Sequence, residues 1–172
     1  MSKKLLIAKI TTPLGPMAAI VDDDYLYLLE FEDCKGLEKE VDRLKKSMRA
    51  EIVSGRTRIT DQIERELEGY FKGQSFVFST PCFLLGSDFQ KAVWKELRKI
   101  PAGKTRSYVD IANSIGKLKA YRAVANANGA NQLALIVPCH RVINKNGQLG
   151  GYAGGVDKKT WLLAHEKGGG YV

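Results

Sequence analysis

An α+β fold in two domains is predicted for this chain of 172 residues by three observations. Short β-rich runs separated by turn residues fill the first thirty positions, helical periodicity dominates afterwards, and the charge changes character half-way along. Residues 1–85 carry 13 Lys+Arg against 14 Asp+Glu, whereas 86–172 carry 14 against 5, so the whole formal net charge of +8 arises in the second half. A basic face is ordinarily a solvated, solubilising one, but its concentration in one half points to nucleic acid as a partner.

With 44% hydrophobic and 9% aromatic residues the chain can bury a core without a covalent staple. No run approaches the ~20 apolar residues of a membrane span, and the apolar run after Met1-Ser2-Lys3-Lys4 is broken at Lys9. Neither membrane association nor a secretory leader is expected, and a cytoplasmic protein is. Cys34, Cys82 and Cys139 are odd in number and lack CxxC spacing, which argues against a disulfide framework and a Cys-based zinc site. Reduced thiols are expected, with no metal and no cofactor.

Leu5–Thr11, Gly15–Val21 and Tyr25–Phe31, divided by Pro13-Leu14-Gly15 and Asp22-Asp23-Asp24, have the spacing of an antiparallel meander. Leu37, Val41, Leu44 and Met48 form one helical stripe and Ile63, Leu67, Tyr70 and Phe71 another, with Glu51-Ile52-Val53 a short strand between them. Gly73 to Gly86 loses this periodicity and reads as a connector, which sets domains at 1–85 and 86–172. Ser87-Asp88-Phe89-Gln90 fits a capping box opening a helix with Phe89, Ala92, Val93 and Leu97 on one face. Ser107-Tyr108-Val109-Asp110 repeats the pattern, Gly116 stops that helix, and a third follows at about Ala120 to Asn128.

Ser107 to Asn128 is therefore helix, tight turn, helix, a pattern also common in proteins that never touch DNA. Ala120, Ala123, Ala125, Ala127 and Gly129 leave the second helix poor in bulky side chains, suited to lying against another helix or a duplex groove. Lys117, Lys119 and Arg122 beside it can neutralise phosphates and favour the groove. Leu133–Val137 reads as a buried extended segment delivering Pro138-Cys139, the glycines of Gly150–Gly155 as a pocket wall, and Asp157 as the cap of a last helix containing Trp161, Leu162 and Leu163.

A free thiol of pKa about 8.5 is only a few per cent thiolate at neutral pH, so a nucleophilic Cys139 needs a base or a cation. His140 is next to it, and a nearby carboxylate would complete a relay. A buried lone cysteine is more often inert; Pro138-Cys139-His140-Arg141 argues the other way.

These residues give the chain a specific likeness. Ile136-Val137-Pro138-Cys139-His140-Arg141-Val142-Ile143 resembles the active-site motif of the O6-alkylguanine-DNA alkyltransferases, or methylated-DNA–protein-cysteine methyltransferases. Phe89-Gln90 with Val93-Trp94, Ile100–Thr105, Ser107-Tyr108, Arg122-Ala123-Val124, Asn131, Gly150–Gly155 and Leu162–Glu166 follow in that family's order, over roughly residues 86 to 168. The resemblance implies an N-terminal RNase H-like sheet with helices and a C-terminal domain with a winged-helix-like helix-turn-helix. It implies Cys139 as alkyl acceptor, His140 as a water-mediated base, and Glu166 as the carboxylate that orients it. Tyr108 would promote extrusion of the target nucleotide and donate a proton to the base, Arg122 would take that nucleotide's place in the stack, and Asn131 would be the hinge before the active-site turn. Lys119, Ala120, Ala123, Asn128 and Gly129 would lie along DNA; Val142, Tyr152, Ala153, Gly154 and Lys159 would line the pocket.

The implied partner is double-stranded DNA containing O6-alkylguanine, with O4-alkylthymine a further candidate. It would be met in the cytoplasm, on chromosomal DNA, by a monomer whose cooperativity on DNA is left open. The implied reaction is stoichiometric, because a thioether has no easy leaving group and no neighbouring thiol resolves it. Departures are Ala153 where many members have Ser, Gln132 where Pro commonly follows the asparagine, and the lack of an N-terminal zinc cluster. A cysteine hydrolase with a Cys-His-Glu relay, or a non-catalytic helix-turn-helix protein, are the alternatives; neither needs both the basic half and the thiol.

Overall fold

A computed structural model describes residues 3–168, which divide into two compact units between Leu84 and Leu85. The first unit contains β1 (Lys3–Ile10), β2 (Met17–Val21), β3 (Leu26–Phe31), α1 (Leu37–Met48), β4 (Ala50–Ser54) and α2 (Arg58–Phe71). Its sheet runs β3-β2-β1-β4. β1 pairs antiparallel with β2 from Leu6–Val21 to Ile10–Met17, and β2 antiparallel with β3, with an irregularity at Ile20/Val21.

The expected meander is thus β1 to β3, but the sheet as a whole is mixed: β4 lies parallel to β1, from Lys3–Ala50 to Ile7–Ser54. The reason is the connection. α1 carries the chain from β3 past two strands to the far edge, and a strand–helix–strand crossover returns the chain in the same direction, where a hairpin would reverse it. β2 and β3 are buried at every residue, as expected of strands covered on both faces. Of the first helical stripe only Leu44 is fully buried, whereas α2 buries Ile59, Thr60, Ile63, Leu67 and Tyr70.

The connector is tied to this unit. Glu66 of α2 accepts hydrogen bonds from the backbone N–H groups of Ser79 and Thr80 at 3.1 Å, and from both hydroxyls. Leu26 is bracketed by the Pro81 carbonyl at 2.8 Å and the Phe83 N–H at 2.9 Å.

The second unit contains α3 (Asp88–Leu97), β5 (Arg106–Ser107), α4 (Tyr108–Ser114), α5 (Tyr121–Gly129), β6 (Val142–Ile143) and α6 (Val156–Gly168). Both predicted capping boxes form: the Ser87 and Ser107 hydroxyls accept from the N–H groups of Gln90 and Asp110, whose side chains reach back. Gly116, at φ +74°, turns the chain out of α4. Trp94, not Ala92, completes the buried face of α3, and its indole N–H donates to the Ala127 carbonyl of α5 at 2.9 Å. Asp157 sits inside the first turn of α6 instead of preceding it. Among the described residues no helix is long and apolar enough to cross a membrane.

Candidate active site

Cys139 is delivered by a turn, not by the extended segment expected over Leu133–Val137. The Val137 N–H donates to the Leu133 carbonyl at 2.9 Å, and Leu135 adopts φ +71°, a conformation uncommon for a non-glycine residue. Asn131 makes this turn affordable in hydrogen bonds: its Oδ1 accepts from the Leu133 N–H at 2.9 Å and its Nδ2 donates to the Val137 carbonyl at 2.7 Å. The side chain supplies the partners a β-ladder would have offered. Pro138 (φ −80°, ψ 65°) then forms an inverse γ-turn in which the Cys139 N–H reaches the Val137 carbonyl at 2.8 Å. One 3-10 turn, Cys139–Arg141, follows before β6 pairs parallel with β5.

His140 and Arg141 project from this turn onto α6. His140 Nε2 lies 2.7 Å from Glu166 Oε2; Arg141 donates Nε–H to Glu166 Oε1 at 2.7 Å and a second N–H to Oε2 at 3.0 Å. A third guanidinium N–H reaches the Ile100 carbonyl at 2.6 Å. The His140 and Glu166 side chains are wholly buried. Burial raises the Glu166 pKa, but the hydrogen bonds from His140 and Arg141 outweigh it and hold the carboxyl at about 2. Burial lowers the pKa of His140 against the opposing pull of Glu166. The arrangement is a neutral imidazole beside an arginine-compensated carboxylate, so Nε2 carries the proton given to Glu166 and Nδ1 is the basic nitrogen. Nδ1 is buried and has no hydrogen-bond partner among the described residues.

Tyr108 is half-buried, and its pKa is raised by burial and then by the charge of the Cys139 thiolate. Its hydroxyl lies against Gly150, where φ is +70° and a Cβ would come within 3.2 Å of the phenol oxygen. Lys159, from α6, is fully buried and donates to the carbonyls of Val142 at 2.7 Å, Gly151 at 3.1 Å and Leu149. Burial lowers its pKa to about 8, opposed by the Cys139 charge. Lys159 is therefore a staple for the glycine loop as well as a cation near the thiol. Val142 is buried, Tyr152 stands edge-on to His140 at 6.5 Å between centroids, Gly154 is half-buried and Ala153 exposed. His165 stacks on Trp161 at 4.6 Å between centroids.

Lys119, Arg122, Ala123 and Gly129 are exposed and Ala120 half-exposed, on the turn and outer face of α5. Asn128 corrects the expectation of a DNA-facing residue: it is 5% exposed, shares the inner face with Val124 and Ala127, and donates to the Cys139 carbonyl at 3.4 Å. The exposed asparagine is Asn126, four residues after Arg122 and so on its face. That spacing was present in the sequence, and so was Arg141, whose adjacency to His140 was the signal for the third member of the buried cluster. Among the described residues no three His, Cys, Asp or Glu side chains converge as a metal site requires.

Comparison with known proteins points the same way. Residues 88–168 match the family model described as 6-O-methylguanine DNA methyltransferase, DNA binding domain. A methylated-DNA–protein-cysteine methyltransferase of Shigella flexneri is 42% identical over 95% of this chain and 96% of its own length. One from Methanosarcina barkeri is 43% identical, over 92% and 94%. The crystal structure of Mycobacterium tuberculosis OGT in complex with DNA superimposes with a TM-score of 0.81 at 36% identity, covering 96% of this chain and 93% of that one. Likeness of this extent, over both units and through the buried Cys-His-Arg turn, makes the chain a member of the methylated-DNA–protein-cysteine methyltransferase family.

Proposed function

We propose that this protein repairs DNA by moving an alkyl group from guanine O6 in a duplex to Cys139. The observation that carries the reading is the His140–Glu166 contact at 2.7 Å, which leaves Nδ1 of the residue adjoining the thiol as the available base. His140 takes the Cys139 proton through a water, and the resulting imidazolium is stabilised by Glu166. The thiolate sulfur attacks the alkyl carbon, an S–C bond forms, and the C–O6 pair returns to guanine, which Tyr108 protonates. The thioether is permanent, so each molecule acts once.

An alkyl group inside a duplex is out of the thiol's reach, so the nucleotide is extruded at a cost of a few kcal/mol, less for a poorly paired damaged base. Arg122 fills the gap while Lys119, Ala123 and Gly129 follow the backbone, and the excess positive charge of the second half supplies affinity. On this reading the first unit, about 1–85, is structural, the second carries both DNA binding and chemistry, and the protein works on chromosomal DNA in the cytoplasm.

Incubation with a duplex containing O6-methylguanine, followed by intact mass measurement, tests the proposal. One methyl on Cys139, absent in Cys139→Ala, is expected. Several lesions repaired per protein, as a hydrolase would achieve, or no mass gain at all, would overturn it.

A further inference from the structure

The exposed start of α5 carries a large aromatic residue with no core role. Tyr121 is the first residue of the helix, 44% exposed, and the guanidinium carbon of Arg122 lies 5.9 Å from its ring centroid. Arg122 is itself exposed and forms no ion pair among the described residues. From this geometry we infer that Tyr121 is a positioning residue for Arg122: its ring is the platform that holds the guanidinium ready for insertion into the base stack. The inference rests on the reading of Arg122 as the residue that replaces the extruded nucleotide.

An exposed arginine samples many rotamers, and that freedom is lost when its fork enters a duplex; a cation–π partner within about 6 Å narrows the freedom beforehand. The adjoining residues of the turn and helix are also unsuited to this task. The neighbours on the turn are Lys117, Leu118 and Lys119, two cations that repel a guanidinium and an aliphatic side chain that is 68% exposed. On the helix, Ala123 is too short and Asn126 is neutral. Val124 and Ala127 face inward. Among these neighbours it is the Tyr121 ring that offers the guanidinium an attractive surface.

The test compares single-turnover methyl transfer from duplex O6-methylguanine with reaction of free O6-benzylguanine, which requires no extrusion, in full-length Tyr121→Ala, Tyr121→Phe, Arg122→Ala and the Tyr121→Ala/Arg122→Ala double variant. Tyr121→Ala is expected to lower the duplex-to-free-base rate ratio about two- to five-fold, the effect of an exposed cation–π contact. Tyr121→Phe, which keeps the ring, should restore it. In the Arg122→Ala background Tyr121→Ala should cause no further loss, because a residue that acts through Arg122 has nothing left to act on. An unchanged ratio in Tyr121→Ala, no rescue by phenylalanine, or an equal loss in both backgrounds would each overturn the inference while leaving the proposed function intact. A duplex-to-free-base ratio unaffected by Arg122→Ala would instead overturn the role of Arg122, and the inference with it.

Discussion

Glu166 meets His140 at 2.7 Å and, through its two oxygens, the forked guanidinium of Arg141 at 2.7 and 3.0 Å. One carboxylate thus orients the base and balances a buried cation. Replacing it by the isosteric amide separates the two tasks. In Glu166→Gln the amide oxygen can still accept from His140, but the amide N–H groups then face guanidinium N–H groups, and Arg141 is left as an uncompensated buried charge. A loss of about 3–5 kcal/mol is expected, as for other buried pairs broken on one side. The imidazolium formed during transfer also loses its counter-charge, so the single-turnover rate should fall about 10²-fold. Urea unfolding and intact mass against time measure the two effects; a full rate with normal stability would contradict both roles.

The same cluster predicts how stability follows pH. Burial lowers His140 from 6.5, so the unfolded chain takes that proton first, and stability is fully present above 6.5 and declines as pH falls through the folded value. For Glu166, burial acts upward but is outweighed by the bonds from His140 and Arg141, which hold it at about 2 against 4.5 unfolded. A depressed acid contributes stability that is complete above 4.5 and lost as pH falls towards about 2. At about 1.4 kcal/mol per unit the second step is on the order of 3 kcal/mol. Acidification therefore destabilises through both groups. Urea midpoints from about pH 7 to about pH 3 should fall throughout, with the lower limb missing in Glu166→Gln; a flat wild-type profile below 4.5 would refute the assignment.

Lys159 predicts a different signature from Tyr121. Lys159→Met keeps an aliphatic stem but leaves the carbonyls of Val142, Leu149 and Gly151 without their donor. A buried orphan acceptor costs about 1–3 kcal/mol, and because the loop can open to water the total should be about 2–3 kcal/mol. Amide hydrogen exchange over residues 149–155 should quicken. The pocket wall serves free base and duplex alike, so both rates should fall together. Unchanged exchange in that loop would mean the lysine does not hold it.

What could be read from the chain, and what could not, follows the range of the forces involved. The Ser87–Gln90 and Ser107–Asp110 capping boxes act over three residues and were legible. So was the helical spacing that puts Asn126 with Arg122 and turns Asn128 inward. The Leu133–Val137 turn was not legible, because it is braced by two hydrogen bonds from the Asn131 side chain, of which periodicity carries no trace. Nor was the direction of β4, which is set by where α1 ends relative to the sheet edge. The Arg141–Glu166 fork joins residues 25 apart and exists only once the 3-10 turn has packed on α6.

Gly86 is the position at which a single methyl group should propagate furthest. A Cβ there would lie 2.6 Å from Trp94 Cη2, 2.7 Å from Cζ3 and 2.7 Å from Gln90 Oε1. None of these atoms can yield easily. Trp94 is 2% exposed and held by its N–H to the Ala127 carbonyl, and Gln90 Oε1 accepts from the Ser87 N–H in the cap of α3. Gly86→Ala must therefore open the cap or shift the indole, at a cost of about 1–3 kcal/mol, as for an overpacked core. A shifted indole also releases Ala127 on the inner face of α5, opposite Arg122. The variant should bind undamaged duplex more weakly at a given salt concentration, with its salt slope unchanged because no phosphate-neutralising charge is lost. Thermal unfolding and a salt titration of DNA binding check the two limbs; wild-type stability would show that the indole has room the structure does not give it.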